Sequence, residues 1–193
     1  MRGWRFKIFR YVRFAEFLRN EDIMSEVKIG KLTLENLDEF LPIFKQVLEE
    51  GFPEYGKDLV NFFVNKDFSK EVFIEKVGAG EWLGWLAKIE DKVVGFYVVD
   101  NLYGGVSYGT LMGVLKDYRG QGIGKNFFKV WEEEVKDLGG HKLMFITQKK
   151  ENLPIFFKCG FNQEGFEEKS WFGLDCWLLG KIIGEPRPEV FLK

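Results

Sequence analysis

Residues 117–125 read Asp117-Tyr118-Arg119-Gly120-Gln121-Gly122-Ile123-Gly124-Lys125. The apolar run Thr110 to Leu115 leads into this stretch with strand character, and Ile123 to Leu138 leads out of it with helical spacing. Three glycines at a strand-to-helix junction let the backbone approach a ligand without interference from Cβ atoms. A helix N-terminus at the same point presents free N–H groups and the positive end of the helix dipole, which together hold phosphate. The junction is therefore expected to bind a diphosphate-bearing cofactor.

Two familiar nucleotide motifs fail here on specific residues. A P-loop requires Gly-x-x-x-x-Gly-Lys-Ser/Thr, but Arg119 stands in place of the first glycine and Asn126 in place of the hydroxyl. A dinucleotide fingerprint requires Gly-x-Gly-x-x-Gly, but Lys125 occupies the third glycine position. The pattern that fits is Arg-x-x-Gly-x-Gly, on Arg119, Gly122 and Gly124.

Working outward, Ile123, Phe127, Val130, Trp131, Val135 and Leu138 share one helix face, and Gly139-Gly140 ends that helix. Leu143 to Thr147 is a short apolar strand, so strand, helix and strand form a crossover that makes the two strands parallel. Upstream, Trp82 to Ile89 and Val93 to Val99 flank the turn Glu90-Asp91-Lys92 and predict an antiparallel hairpin. Before that come a strand over Val27 to Leu32 and a helix burying Leu37, Phe40, Leu41, Phe44, Val47 and Leu48. Asn36 and Glu39 form a capping-box pattern for this helix, and Pro42 is expected to kink it or to mark a later start. A loop over 51–56 and helical stretches around Leu59 to Phe63 and Val72 to Ile74 follow. Downstream, a short helix over Asn152 to Cys159 precedes a strand from Phe161 and a last strand over Asp175 to Ile183. The tail from Glu185 is expected to be extended and outside the core.

The 193 residues suffice for one substantial core. Aromatics make up 17% of the chain, and 21 of them are Phe, which predicts a Phe-rich core. A net charge of -2 does not point to nucleic acid. Two cysteines, Cys159 and Cys176, without a Cys-x-x-Cys pair, and a single histidine, His141, do not assemble a metal site, so no metal is expected. Free thiols and the lack of a secretory segment predict a reducing, cytoplasmic setting. No apolar stretch is long enough to span a bilayer.

Residues 1–24 differ from the rest, with Arg2, Arg5, Lys7, Arg10, Arg13 and Arg19 interleaved with Trp4, Phe6, Phe9, Tyr11, Phe14 and Phe17. Two readings stay open: a basic amphipathic segment for an anionic membrane or RNA, or a stretch upstream of a true start at Met24. The expected division is this extension over 1–24, one domain over 25–184 and a tail over 185–193.

The glycine junction resembles the acetyl-CoA-binding signature of the GCN5-related N-acetyltransferases (GNAT). Ile155-Phe156-Phe157-Lys158-Cys159-Gly160-Phe161 is similar to that family's helix ending in Gly-Phe, and Glu90 to Phe96 to its preceding strand pair. The resemblance runs from Val27 to Ile183 and implies an α/β (α+β) fold. That fold is a mixed, mostly antiparallel sheet of six to seven strands, with helices on both faces and one central parallel strand pair. It also implies acetyl-CoA as cosubstrate and an acetyltransferase acting on a primary amine, of a small molecule or of a lysine or N-terminus, by direct attack. The alternative is a non-catalytic acyl-CoA-binding sensor. The expected partner is an amine acceptor, with a homodimer as an open assembly state.

Backbone N–H groups of Gly120, Gln121, Gly122, Ile123, Gly124 and Lys125 are then expected to cradle the pyrophosphate beside Arg119. The resemblance assigns the pantetheine arm to the backbone around Met112, Gly113 and Val114. Two positions depart from the family. Where several branches carry a glutamate base this chain has Tyr108, and where many carry a tyrosine acid it has Phe156, which keeps only a cofactor-lining role. Tyr108 and Glu54, the latter in the loop between the early helices, are the candidates for handling the proton. Asp100 and Cys159 are weaker ones.

Overall fold

The computed structural model describes residues 27–192; the basic, aromatic extension discussed above lies outside them. Seven strands are formed: β1 (Lys28–Lys31), β2 (Trp82–Ile89), β3 (Lys92–Tyr103), β4 (Val106–Val114), β5 (Lys142–Thr147), β6 (Asn162–Trp171) and β7 (Leu174–Ile182). They assemble in the order β1-β2-β3-β4-β5-β7-β6, with β4 and β5 as the one parallel pair and antiparallel pairing everywhere else. The helices are α1 (Leu37–Gly51), α2 (Gly56–Phe62), α3 (Lys70–Gly78), α4 (Ile123–Asp137) and α5 (Leu153–Lys158). This is the mixed sheet, covered on both faces, that the sequence predicts.

Each face has its own core. On one, Phe40, Phe44, Val47 and Leu48 of α1 and Phe73 of α3 bury against Leu86, Phe96 and Val98. On the other, Phe127, Phe128, Trp131 and Val135 of α4 bury against Val94, Tyr97, Val99 and Leu143. Phe40, Phe44, Phe73, Phe96 and Phe127 are all essentially inaccessible. Burying a large apolar side chain contributes about 1.5–3 kcal/mol, so these rings are a main source of the fold's stability. A buried polar link also fixes α4: the Trp131 indole N–H donates to Ser107 Oγ at 2.8 Å, and Ser107 donates on to the Asp100 carbonyl at 2.7 Å.

Several local expectations change. Asn36 does not pair with Glu39 as a capping box. Its Oδ1 accepts from the Thr33 N–H at 2.9 Å and its Nδ2 donates to the Lys31 carbonyl, closing a 3-10 turn ahead of α1. Glu39 instead pairs with Lys88 at 2.5 Å. Pro42 does not mark a later start: α1 runs uninterrupted through it from Leu37 to Gly51, and the Asp38 carbonyl that loses its donor belongs to an exposed residue. The hairpin turn is tighter than read. Glu90 and Asp91 alone form it, at φ 49° and 63°, the two-residue geometry that matches strand twist. The tail is not merely extended: it makes a 3-10 turn over Pro188–Val190, which sets Val190 against Gly139 and Phe191 against Gly105.

Candidate active site

The parallel pair is joined for only part of its length. β4 and β5 pair from Val106↔Lys142 to Gly109↔Phe145 and no further. Beyond Gly109, β4 stays with β3 as far as Gly95↔Val114, while β5 stays with β7 as far as Thr147↔Trp177. The strands therefore splay, and the edge of β4 from Thr110 to Val114 that would face β5 has no strand partner among the described residues. A bulge sharpens the split: Val98 pairs with Leu111 and Val99 with Gly109, so Thr110 is an extra residue at the point of divergence.

The wedge holds a cleft of about 200 Å³ lined by Gly109 to Met112 on one side and Phe145 to Lys149 on the other. Phe52, Tyr55 and Trp171 wall it on the α1 side, and Tyr97, Phe128 and Phe156 on the α4 side. A second cavity of about 290 Å³ continues from it past Met112, Gly113 and Val114 to Arg119, sharing Phe52, Met112, Lys149 and Asn152 with the first. Together they form one groove along the open edge of β4.

The glycine stretch stands beyond the end of β4. A 3-10 turn over Lys116–Tyr118 is followed by Gly120 at φ 78° and Gly122 at φ 79°. No atom lies within 4 Å of where a Cβ would stand at either glycine, so it is the left-handed backbone that requires glycine there. Gly122 is the N-cap of α4, and the first helical bond runs from the Asn126 N–H to the Gly122 carbonyl. The N–H groups of Ile123, Gly124 and Lys125 thus have no acceptor within the helix. Gly124 lies in the first turn, its Cβ direction meeting Met112 Sδ at 3.6 Å. Arg119 turns back: its Nε donates to the Val114 carbonyl at 2.9 Å, and its guanidinium lies against Gly51, the last residue of α1.

At the mouth of the cleft Lys149 pairs with Glu54 at 3.2 Å and lies 4.9 Å over the Phe52 ring. Glu54 is thereby tied to the loop after β5. Tyr55 donates from its hydroxyl to Gln148 Oε1 at 3.4 Å, and its phenol is pushed well up by burial, with Glu54 and Cys176 adding to the rise. Phe156 packs edge-on against Phe145 at 4.9 Å and presents no hydroxyl to the cleft. Tyr108 is half-buried on the face of β4 opposite to Gly109; burial pushes its phenol up to about 12, with Glu167, Cys176 and Asp100 contributing. Burial likewise raises the Asp100 carboxyl.

Two cleft groups escaped the sequence reading. Tyr97 and Thr110 both line the cleft, and Tyr97 Oη is buried without a hydrogen-bond partner among the described residues. Tyr97 sits mid-strand on β3 with no local signal to mark it, and the bulge at Thr110 is signalled only by its neighbour Gly109. Coenzyme A fits the residues present. The helix N-terminus and its two left-handed glycines suit a pyrophosphate, the open edge of β4 suits the amides of the pantetheine arm, and the unpaired Tyr97 hydroxyl suits a polar group at the closed end.

The split parallel pair and the helix N-terminus at its mouth leave room for an extended ligand with an anionic end. The chain belongs to the Acetyltransferase (GNAT) family, whose profile matches residues 38–161. No curated protein sequence matches the chain significantly. Solved structures do. The PaiA N-acetyltransferase from Thermoplasma acidophilum, in complex with coenzyme A, superposes with a TM-score of 0.69 at 18% identity, covering 81% of this chain and 99% of its own. An aminoglycoside 6'-acetyltransferase type Ii gives 0.63 at 20% identity, covering 83% and 99%. The ribosomal-protein-S18-alanine N-acetyltransferase from Escherichia coli gives 0.63 at 16% identity, covering 83% and 96%. At these identities the likeness is one of fold.

Proposed function

We propose that the protein transfers the acetyl group of acetyl-CoA to a primary amine that attacks directly. The observation that carries this reading is the end of β4–β5 pairing at Gly109↔Phe145, with the α4 N-terminus at the other end of the exposed β4 edge. Acetyl-CoA supplies the acyl group activated as a thioester. The N–H groups around Gly120 to Lys125 hold its pyrophosphate, and the backbone of Met112 to Val114 orients the arm that follows. A backbone N–H at the bulge polarises the acyl carbonyl. Holding the two reactants together in the groove supplies much of the acceleration. Tyr108 and Glu54 lie near the acceptor side without lining the inner cleft, so they are assigned the amine's proton by relay through solvent and not by direct contact.

The walls bear on the acceptor. Among the described residues, Lys149 is the one charged side chain lining the inner cleft, and no carboxylate lines it to hold a polycation. Phe52, Tyr55 and Trp171 form its acceptor-side wall, with Tyr55 and Trp171 edge-on at 5.6 Å. This favours a compact amine on an apolar or aromatic body over a polyamine or an aminoglycoside.

Incubation with acetyl-CoA and a panel of arylalkylamines, polyamines, aminoglycosides and peptide amines, with free thiol followed, tests the reading. Amine-dependent thiol release is expected, fastest with the arylalkylamines. Thermal stabilisation by CoA without turnover of any amine would favour the non-catalytic sensor instead.

A further inference from the structure

Tyr97 projects from the middle of β3 into the α4-side core and is only 2% exposed. Its ring is clamped edge-on by Trp131 at 5.2 Å and by Phe128 at 5.9 Å. Its hydroxyl nevertheless has no partner among the described residues. A buried hydroxyl left unpaired is destabilising, so its position points to a polar group that arrives from outside the fold.

The surroundings say where that group belongs. Tyr97 lines the inner cleft together with Gly109 and Phe145, the pair at which β4 and β5 part. Its Oη occupies the space that a Cβ at Gly109 would take, so the missing side chain at 109 is what admits the hydroxyl to the closed end of the wedge. From Val114, beside the phosphate-holding loop, back to Gly109 the strand spans roughly 15 Å. That is about the reach of an extended pantetheine arm, so an arm laid along the β4 edge brings its thioester to Tyr97.

We propose that the Tyr97 hydroxyl is a hydrogen-bond donor to the sulfur of the bound thioester, stabilising the charge that gathers there as the C–S bond breaks. This rests on the acyl-transfer reading above. The nitrogen–carbon bond to the amine forms, the C–S electron pair goes to sulfur, and the proton lost by the amine reaches the thiol through the acceptor-side groups or solvent. Tyr97 keeps its own proton, because burial holds its phenol well above the usual range. It thus provides a donor on the side of the cleft where Phe156 has none.

The test is Tyr97→Phe in the full chain, which removes one oxygen and no ring contact. A kcat lower by about 10- to 100-fold is expected, by the same factor at every pH from roughly 6 to 10. The affinity for CoA, read by calorimetry, should stay within about twofold of wild type. The melting temperature of the free protein should equal or exceed wild type, since an unpaired buried oxygen has been removed. A kcat within about twofold of an active wild type overturns the assignment, as does a lowered melting temperature with weakened CoA binding. A defect that appears only at alkaline pH also overturns it, because it would mean that Tyr97 gives up its proton. A wild type that turns over no amine overturns the acyl-transfer reading before any variant is made.

Discussion

Glu54, on the turn after α1, and Lys149, on the loop after β5, meet at 3.2 Å across the mouth of the cleft. The pair joins two segments that belong to opposite halves of the split sheet, and Lys149 lines both cavities of the groove. A partly exposed ion pair contributes only about 0–1 kcal/mol to stability. Lys149→Ala is therefore predicted to change the unfolding free energy by no more than about 1 kcal/mol in urea denaturation. The same variant should raise KM for both substrates severalfold, because a wall shared by both cavities is gone. A large stability loss with unchanged kinetics would make the pair structural instead.

Gly109 and Tyr97 are predicted to be coupled. A Cβ at position 109 collides with Tyr97 Oη and comes within 3.0 Å of Phe145 Cβ. Gly109→Ala should destabilise by about 1–3 kcal/mol through overpacking. Adding Tyr97→Phe removes one of the colliding atoms and should recover part of that loss, giving a coupling of about 0.5–3 kcal/mol in a double-mutant cycle. Strict additivity would contradict the contact.

Trp171 stacks on Phe63 at 5.3 Å and closes the acceptor side of the cleft. Trp171→Ala is predicted to raise the amine KM and to leave the CoA dissociation constant unchanged. Steady-state kinetics with a CoA titration separates the two, and equal effects on both substrates would contradict an acceptor-side role.

Tyr108 links pH to stability. Burial pushes its phenol up to about 12 in the folded chain, above the ordinary value of about 10 that the unfolded chain keeps. Below pH of about 10 both states hold the proton, and the group adds no pH dependence. Between about 10 and 12 the unfolded chain ionises first, so stability falls as pH rises. Tyr108→Phe should make the decline of the denaturation midpoint across this window shallower. If Tyr108 also relays the amine's proton, the same variant lowers kcat while CoA affinity holds; an unchanged kcat removes it from the reaction.

What the sequence revealed, and what it hid, follows from the range of the forces involved. The glycine junction was legible because left-handed backbone at Gly120 and Gly122 and the spacing of Ile123, Phe127, Trp131 and Val135 are local properties. The parallel pair followed from the crossover that α4 makes. The acceptor wall was not legible, since Phe52, Tyr55 and Trp171 come from distant segments and read individually as core or loop aromatics. Tyr97 was hidden for the same reason: its distinction is an unpaired hydroxyl, which exists only once Gly109 and Phe145 stand beside it. Asn36 and Glu39 had capping-box spacing, yet tertiary partners at Lys31 and Lys88 claimed their side chains.

Most directly, CoA can be titrated calorimetrically into wild type and Gly122→Glu, with Gly80→Glu as control. Gly122 and Gly80 have φ of 79° and 70° and open space around them, so both substitutions carry the same backbone strain of about 1–2 kcal/mol. Only the first sets a carboxylate against the N–H groups at the start of α4. Gly122→Glu is predicted to remain folded and to weaken CoA binding at least about 100-fold, while Gly80→Glu binds like wild type. Unchanged CoA affinity in folded Gly122→Glu would contradict the placement of the phosphate site on this loop.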